Sequence, residues 1–238
     1  MVGFCAIALS IALAPSSVRA ETDDPLETIN RGIFWFNDTL DVYVVEPIAR
    51  GYNDYVPDPI QNHINSFFVN IKTPIYVVSD VVQLKFDQAG NHLGRFIINS
   101  TLGGLGLVDV AKSFGMKHKT ADFGVALGYR GVGEGPYIVI PILGPSNARD
   151  LFGRIVDSFI NPVNYASSVS DSGTEISWGA TAVEGIDDRA NLLEAVESAK
   201  EASVDYYSFV KNSYHQYRQN VIYDNNPPDE ETDADTAE

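Results

Sequence analysis

Apolar positions recur at helical rather than strand spacing along most of the chain. Asp24-Pro25 reads as a helix start, with an N-cap acid, proline at the first helical position and Glu27 in the first turn. Leu26, Ile29, Ile33, Phe36 and Leu40 then follow one face. Phe34 and Trp35 fall off that stripe, so the centre of this helix is apolar almost all round. That pattern predicts burial on every side or contact with lipid. Pro47 and the run from Tyr52 to Pro59 predict a break, after which Asp58-Pro59 opens a second helix carrying Ile60, Ile64, Phe67, Phe68 and Ile71. Thr73-Pro74 opens a third, leading into Val78, Val81 and Val82. The next carries Ala89, Leu93, Phe96 and Ile97 and is expected to end at Gly103 and Gly104.

From Gly103 to Gly144 the pattern changes. Glycine recurs at 103, 104, 106, 115, 124, 128, 131, 133, 135 and 144, which predicts an irregular region with short helices near Val108 to Phe114 and Phe123 to Leu127. Gly131-Val132-Gly133-Glu134-Gly135 lacks the GK[ST] ending of a nucleotide loop and reads as a turn before an apolar strand. Helical spacing resumes at Asn147, with Leu151, Ile155, Val156 and Phe159 expected inward. It continues through Val183, Ile186, Ala190 and Leu193, then Tyr206, Val210, Tyr214, Tyr217 and Val221. The fold class expected is one mostly α domain with a glycine-rich irregular insert.

The ends read differently from the body. Residues 1–20 resemble an export signal: Met1 to Ala14 is apolar, and Val18-Arg19-Ala20 is a small-x-small cleavage motif. The basic stretch that usually opens such a signal is missing, which points to a start upstream of Met1. Cys5 is the single cysteine, and Phe4 stands where a lipoprotein signal needs a small residue. The expectation is therefore ordinary cleavage after Ala20, with a lipid anchor left in doubt by the poor lipoprotein motif, and no disulfide or thiol chemistry. Residues 21–223 form the folded body, and 224–238 an acidic tail without Lys or Arg, expected to be disordered. No stretch reaches the roughly 18–20 apolar residues of a spanning helix.

A formal net charge of −16 with few basic clusters argues against nucleic acid and against electrostatic attraction to anionic lipid. Membrane attachment then has to come from apolar burial or from a partner. Catalysis has no motif to stand on. His63, His92, His118 and His215 show no metal-ligand spacing and read as surface or helix-face residues, and no GxSxG elbow is present. No metal and no cofactor are expected. The pairs Asp23-Asp24 and Asp187-Asp188 read as caps or solvated faces. Arg95 and Arg149 lie in apolar stretches and call for a carboxylate, with Asp109 and Asp150 as candidates; contact with a lipid phosphate is the alternative.

Longer motifs carry a resemblance. DPLETINRGIFWFNDTLDVYVVEP (Asp24 to Pro47), the following block through YVP to Pro74, RFIINSTLGGLGLVDVA (Arg95 to Ala111) and DFGVALGYRGVGEGPYIVIPILGPS (Asp122 to Ser146) stand in order, with Arg149-Asp150 after them. EGIDDRANLL and DYYSFVKNSYHQYR follow near the end. Together they resemble the MlaA (VacJ) family along most of the body. The resemblance implies a ring-like arrangement of amphipathic helices in the inner leaflet of the outer membrane, held by a porin trimer. Its amphipathic channel would pass misplaced outer-leaflet phospholipid to the periplasmic carrier MlaC, with no reaction catalysed. Under it, Asn99, Thr101, Gly103, Gly104, Gly106 and Asp109 are expected as a channel-side loop. Asp122, Gly124, Gly128, Gly131, Gly133 and Tyr137 are expected as the adjoining turn, and Phe34, Trp35, Phe36, Phe67 and Phe68 against acyl chains. The alternatives are a soluble cell-envelope adaptor and a periplasmic lipid hydrolase, which should purify without detergent.

Overall fold

A computed structural model describes residues 24–169 and 173–227. The expected export segment and the tail beyond Pro227 lie outside the described residues. The chain begins with one long helix. α1 (Glu27–Leu40) passes through a π turn (Asp41–Val45) into α2 (Glu46–Tyr55) without leaving helical backbone. The break expected at Pro47 is absent, for a local reason. In a regular helix the proline ring would collide with the carbonyl four residues back. Here the turn just before it is widened, with Glu46 N–H donating to the Asp41 carbonyl five residues earlier.

α3 (Asp58–Ile71) and α4 (Thr73–Gln83) each start beside a proline, as the sequence predicts. α5 (Phe86–Thr101) is followed by the glycine-rich turns and the short α6 (Val110–Ser113), then α7 (Phe123–Tyr129). The apolar run after Gly135 is a strand, β1 (Tyr137–Ile140). It pairs antiparallel with β2 (Gly144–Asn147) in the register Tyr137 to Asn147 and Ile140 to Gly144. α8 (Ala148–Ile160), α9 (Pro162–Val169), α10 (Gly173–Ala190), α11 (Leu193–Ala202) and α12 (Tyr206–Ile222) complete the described chain.

The distribution of side chains is inverted relative to a water-soluble domain. Among the described residues, twenty-one polar or charged side chains are buried against sixteen apolar ones, seven of the latter alanine. The buried face of α5 is Ala89, His92, Arg95 and Asn99, while Leu93 and Ile97 are exposed. On α8 the buried set is Arg149, Asp150, Gly153 and Asp157. Ile155 and Phe159, expected inward, point out, Phe159 with 70% of its surface free. The periodicity marked the apolar face correctly, but that face does not meet the protein interior. His92 is buried, against the surface reading of the histidines, and its Nδ1 lies 2.6 Å from Asp80 Oδ2. Asp187 is buried as well rather than solvated, accepting from the Tyr52 hydroxyl at 2.7 Å.

Among the described residues no helix is long and apolar enough to cross a membrane.

Candidate functional site: a cavity between the first helix, the hairpin and helix α10

Two asparagines on α1 fix the hairpin. Asn30 Nδ2 donates to the Tyr137 carbonyl and its Oδ1 accepts from Val139 N–H, both at 2.9 Å. Asn37 repeats the pattern at the turn, donating to the Ile140 carbonyl at 2.9 Å and accepting from Ile142 N–H at 2.7 Å. Seven residues of helix rise about 10.5 Å, and three residues of strand span about 10 Å. The two carboxamides therefore meet backbone groups three residues apart, on β1 and in the turn just after it, and stand in for a third strand along that edge.

Asp41 continues the same polar face into the π turn. It receives Arg189 of α10 in a fork, Nε at 2.7 Å and Nη2 at 2.9 Å. Burial opposes the charge on Arg189, but the Asp41 hydrogen bonds outweigh it and hold the guanidinium more firmly protonated than usual. Glu46 and Lys200 flank the pair at 3.6 and 4.0 Å.

Between these anchors lies a cavity of about 220 Å³. Its wall is mostly aliphatic, from Leu40, Val45, Ile48, Ile142, Ala182 and Ile186, with Asn37, Asp41, Thr181, Gly144 and Gly185 completing it. Pockets that enclose a whole drug-sized ligand run to about 300–1,000 Å³. The space suits a length of hydrocarbon chain passing polar groups rather than an entire lipid.

The twelve residues expected beside a channel fall into two other places. Asn99 and Asp109 are joined at 3.0 Å, and Arg95 donates to Asp109 at 2.7 Å, one of the two candidate carboxylates. Gly103 packs so tightly that an added Cβ would lie 2.1 Å from the Val108 carbonyl, and Gly106, with φ +93°, leaves no room beside Asn70. Gly104 is exposed, and Thr101 donates to the Ile97 carbonyl of its own helix. The second group surrounds Arg218. Asp122 caps α7 and accepts two hydrogen bonds from Arg218, which also reaches Asp150 at 2.9 Å. Arg149 donates to Asp150, the other candidate, at 2.9 Å. Burial alone would raise the Asp122 carboxyl, and the Arg218 charge outweighs it. Gly124 and Gly128 lie against this cluster, whereas Gly131 and Gly133 are exposed. Tyr137 joins the two regions, since its carbonyl meets Asn30 and its ring lies 6.2 Å from those of Tyr207 and Tyr214.

Of the five aromatics expected against acyl chains, Trp35 and Phe36 are exposed, Trp35 at 70%. Phe34 turns inward, its ring 5.4 Å from those of Tyr206 and Tyr207. Phe68 is buried, stacked edge-on with Phe67 at 5.6 Å. The lining residues Asn37 and Asp41 are not among the site residues the sequence suggests, although an asparagine pair seven apart on the first helix is a usable signal.

A profile of the MlaA lipoprotein family matches residues 22–221. The chain belongs to that family. It is 34% identical over 220 residues to the intermembrane phospholipid transport system lipoprotein MlaA of Escherichia coli K12, covering 89% of this chain and 85% of that protein. An uncharacterized protein of Rickettsia bellii is 38% identical over 200 residues, covering 84% of this chain and 76% of that one. A solved structure described as the structural basis for maintenance of bacterial outer membrane lipid asymmetry matches with a TM-score of 0.75 at 33% identity. It covers 84% of this chain and 99% of that one. MlaA proteins are described as lipoproteins, so family membership does not support the doubt about a lipid anchor; Cys5 and Ala20 lie outside the described residues. The family is one of transport lipoproteins and not of enzymes, which removes the hydrolase alternative.

Proposed function

We propose that this MlaA-family chain transports phospholipid between membranes and so maintains the lipid asymmetry of the outer membrane. In this reading it lies in the inner leaflet, held by a porin trimer, and hands lipid to the periplasmic carrier MlaC. The observation that carries the reading is the inverted side-chain distribution. Large apolar side chains on two helices, Ile29, Trp35 and Phe36 on α1 and Phe152 and Phe159 on α8, are exposed, while ion pairs and carboxamides fill the interior. Water would penalise that exposure, and acyl chains would not. Helices that lie flat in one leaflet need no spanning length.

The cavity beside Asn37 and Asp41 is the segment of the lipid path that fits best, with an aliphatic wall for the chain and a polar edge for what it is attached to. Gly131, Gly133 and Tyr137 lead into the hairpin that walls it at Ile142. The loop from Asn99 to Asp109 then belongs to the frame beside the path.

The test is outer-leaflet phospholipid in cells lacking the protein, restored with wild type or with Ala182→Trp, which places an indole in the cavity. Excess surface phospholipid is expected without the gene, corrected by wild type and not by the folded variant. Full correction by Ala182→Trp would take the cavity off the path. An unchanged surface in the deletion strain would reject the transport reading itself.

A further inference from the structure

We infer a phosphate-binding subsite between Lys85 and Lys119, filled in the resting molecule by the carboxylate of Asp224 and open to the phosphodiester of a phospholipid headgroup. Lys85 Nζ donates to Asp224 Oδ2 at 2.8 Å and Lys119 Nζ to Oδ1 at 2.9 Å, with Gln88 Nε2 3.4 Å from Oδ2. Lys85 lies in the junction between α4 and α5, and Lys119 in the extended segment after α6. One oxygen on each ammonium is the arrangement that the two free oxygens of a phosphodiester would adopt. Asp224 was expected to open a disordered tail; it is instead held, and the tail's own first carboxylate is the anion in the subsite.

Charge singles out this region. Residues 85–130 carry six of the sixteen Lys and Arg of the chain but only three of its thirty-two Asp and Glu. A basic zone on a strongly acidic protein concentrates anions locally, whatever the total charge. Beside the lysine pair lies a cavity of about 220 Å³ lined by Asp87, Gln88, Asn91, His92, Lys117 and Lys119. It gives a headgroup room beyond its phosphate.

The setting is that of a membrane interface. The neighbours of Lys85 on both sides, Leu84 and Phe86, are exposed, and its ammonium stands 4.2 Å over the Tyr129 ring. Lysines beside exposed apolar side chains place their charge where headgroups begin. The latch is also built to yield. Lys119 and Asp224 are both substantially exposed, whereas Lys85 is 14% exposed, so the Lys119 side of the latch holds weakly and yields first. A phosphate and the carboxylate compete for the same two ammoniums, so headgroup binding releases residues 224–227.

The subsite rests on the lipid reading above only for the source of its phosphate. The experiment uses the full chain in micelles of a non-ionic detergent, with dihexanoylphosphatidylglycerol and inorganic phosphate as separate probes. Asp224→Asn is expected to raise affinity for the short lipid about two- to fivefold, the factor that competition from an exposed ion pair is worth. Lys85→Gln with Lys119→Gln is expected to abolish it. Lys119→Gln alone keeps the Lys85–Asp224 ion pair at the latch, and so guards against unfolding, but is expected to lose most of the lipid affinity. In wild type, lipid is expected to speed amide exchange at residues 224–226. Unchanged affinity in Asp224→Asn, or wild-type binding by either lysine variant, overturns the subsite. Equal binding of inorganic phosphate with the same lysine dependence overturns the headgroup as ligand. Vesicle flotation reads embedding separately, and these variants are expected to leave it unchanged.

Discussion

The two carboxamides that hold the hairpin should differ sharply in what their loss costs. Asn30 is 1% exposed and Val139, whose N–H it receives, is equally enclosed. Asn30→Ala therefore leaves a buried donor and a largely buried carbonyl without partners, at about 1–3 kcal/mol each. The expected loss is about 4 kcal/mol, which for a chain of this size lowers the unfolding midpoint by about 10 °C. Asn37 makes the same two bonds, but Ile142 is 47% exposed and water can replace the carboxamide there. Asn37→Ala should cost about 1 kcal/mol and about 3 °C. The assay is thermal unfolding in detergent micelles, joined to amide exchange at Val139 and Ile142. In Asn37→Ala, exchange at Ile142 should rise while Val139 stays protected. Equal midpoint losses in the two variants, or a larger one in Asn37→Ala, would refute the claim that enclosure sets the difference.

Other consequences can be checked on the same protein. Burial, then the neighbouring Asp122 charge, pushes the Asp157 carboxyl up to about 7. The folded state therefore keeps a proton that the unfolded state loses, and stability falls as pH rises through that window. Asp157→Asn should stabilise by on the order of a few kcal/mol at pH 8, by a margin that widens between about pH 4 and pH 7 and is flat above; a constant margin in a denaturant series at several pH values would contradict this. Gly103→Ala places a Cβ 2.1 Å from one backbone oxygen and 2.5 Å from another, and should cost about 2–3 kcal/mol. Gly133→Ala meets nothing within 4 Å and should move the unfolding midpoint by no more than about 0.5 kcal/mol implies. Arg189→Met strands the buried Asp41 carboxylate and should cost about 3–5 kcal/mol, with Asp41→Leu added to it restoring most of the loss. Failure of that second change to rescue would mean the fork is not what holds α10 to the first helix.

Local features of this fold were legible in the sequence. Asp58-Pro59 and Thr73-Pro74 open helices, Gly103 and Gly104 follow the end of α5, and the run after Gly135 is a strand. Each follows from constraints on a few consecutive residues. What each face meets was not legible. Helical spacing at Ile155 and Phe159 identifies an apolar face, and nothing in the spacing says whether protein or lipid covers it. The buried histidine was hidden for a related reason, since Asp80 lies twelve residues from His92 on another helix. Of the site, the need of Arg95 and Arg149 for the carboxylates of Asp109 and Asp150 was legible, though not which pairs with which, because an arginine in an apolar stretch has to find a carboxylate. The cavity was not. Its wall combines the π turn, the hairpin and α10, three parts of the chain distant in sequence that only the folded chain brings together.

If the exterior faces acyl chains as proposed, the inverted interior follows from that solvent. In water, apolar burial drives helices together; against acyl chains that drive is missing, because lipid is as apolar as leucine. Cohesion then falls to polar groups, and here those groups link distant parts of the chain. Asn30 reaches Val139 across 109 positions, Asp41 reaches Arg189 across 148, and Asp122 reaches Arg218 across 96. A buried ion pair is a poor source of net stability in a water-soluble protein, where a packed apolar pair does as well. With lipid outside, that comparison changes, since an apolar pair at the same place would be as comfortable facing outward and would fix no arrangement. The polar interior therefore sets which helices meet, and the apolar exterior only where the molecule resides. On this argument, truncating exposed residues such as Trp35 or Phe159 weakens membrane attachment while the cavity keeps its shape. Severing Asp41 from Arg189 opens the cavity while attachment persists.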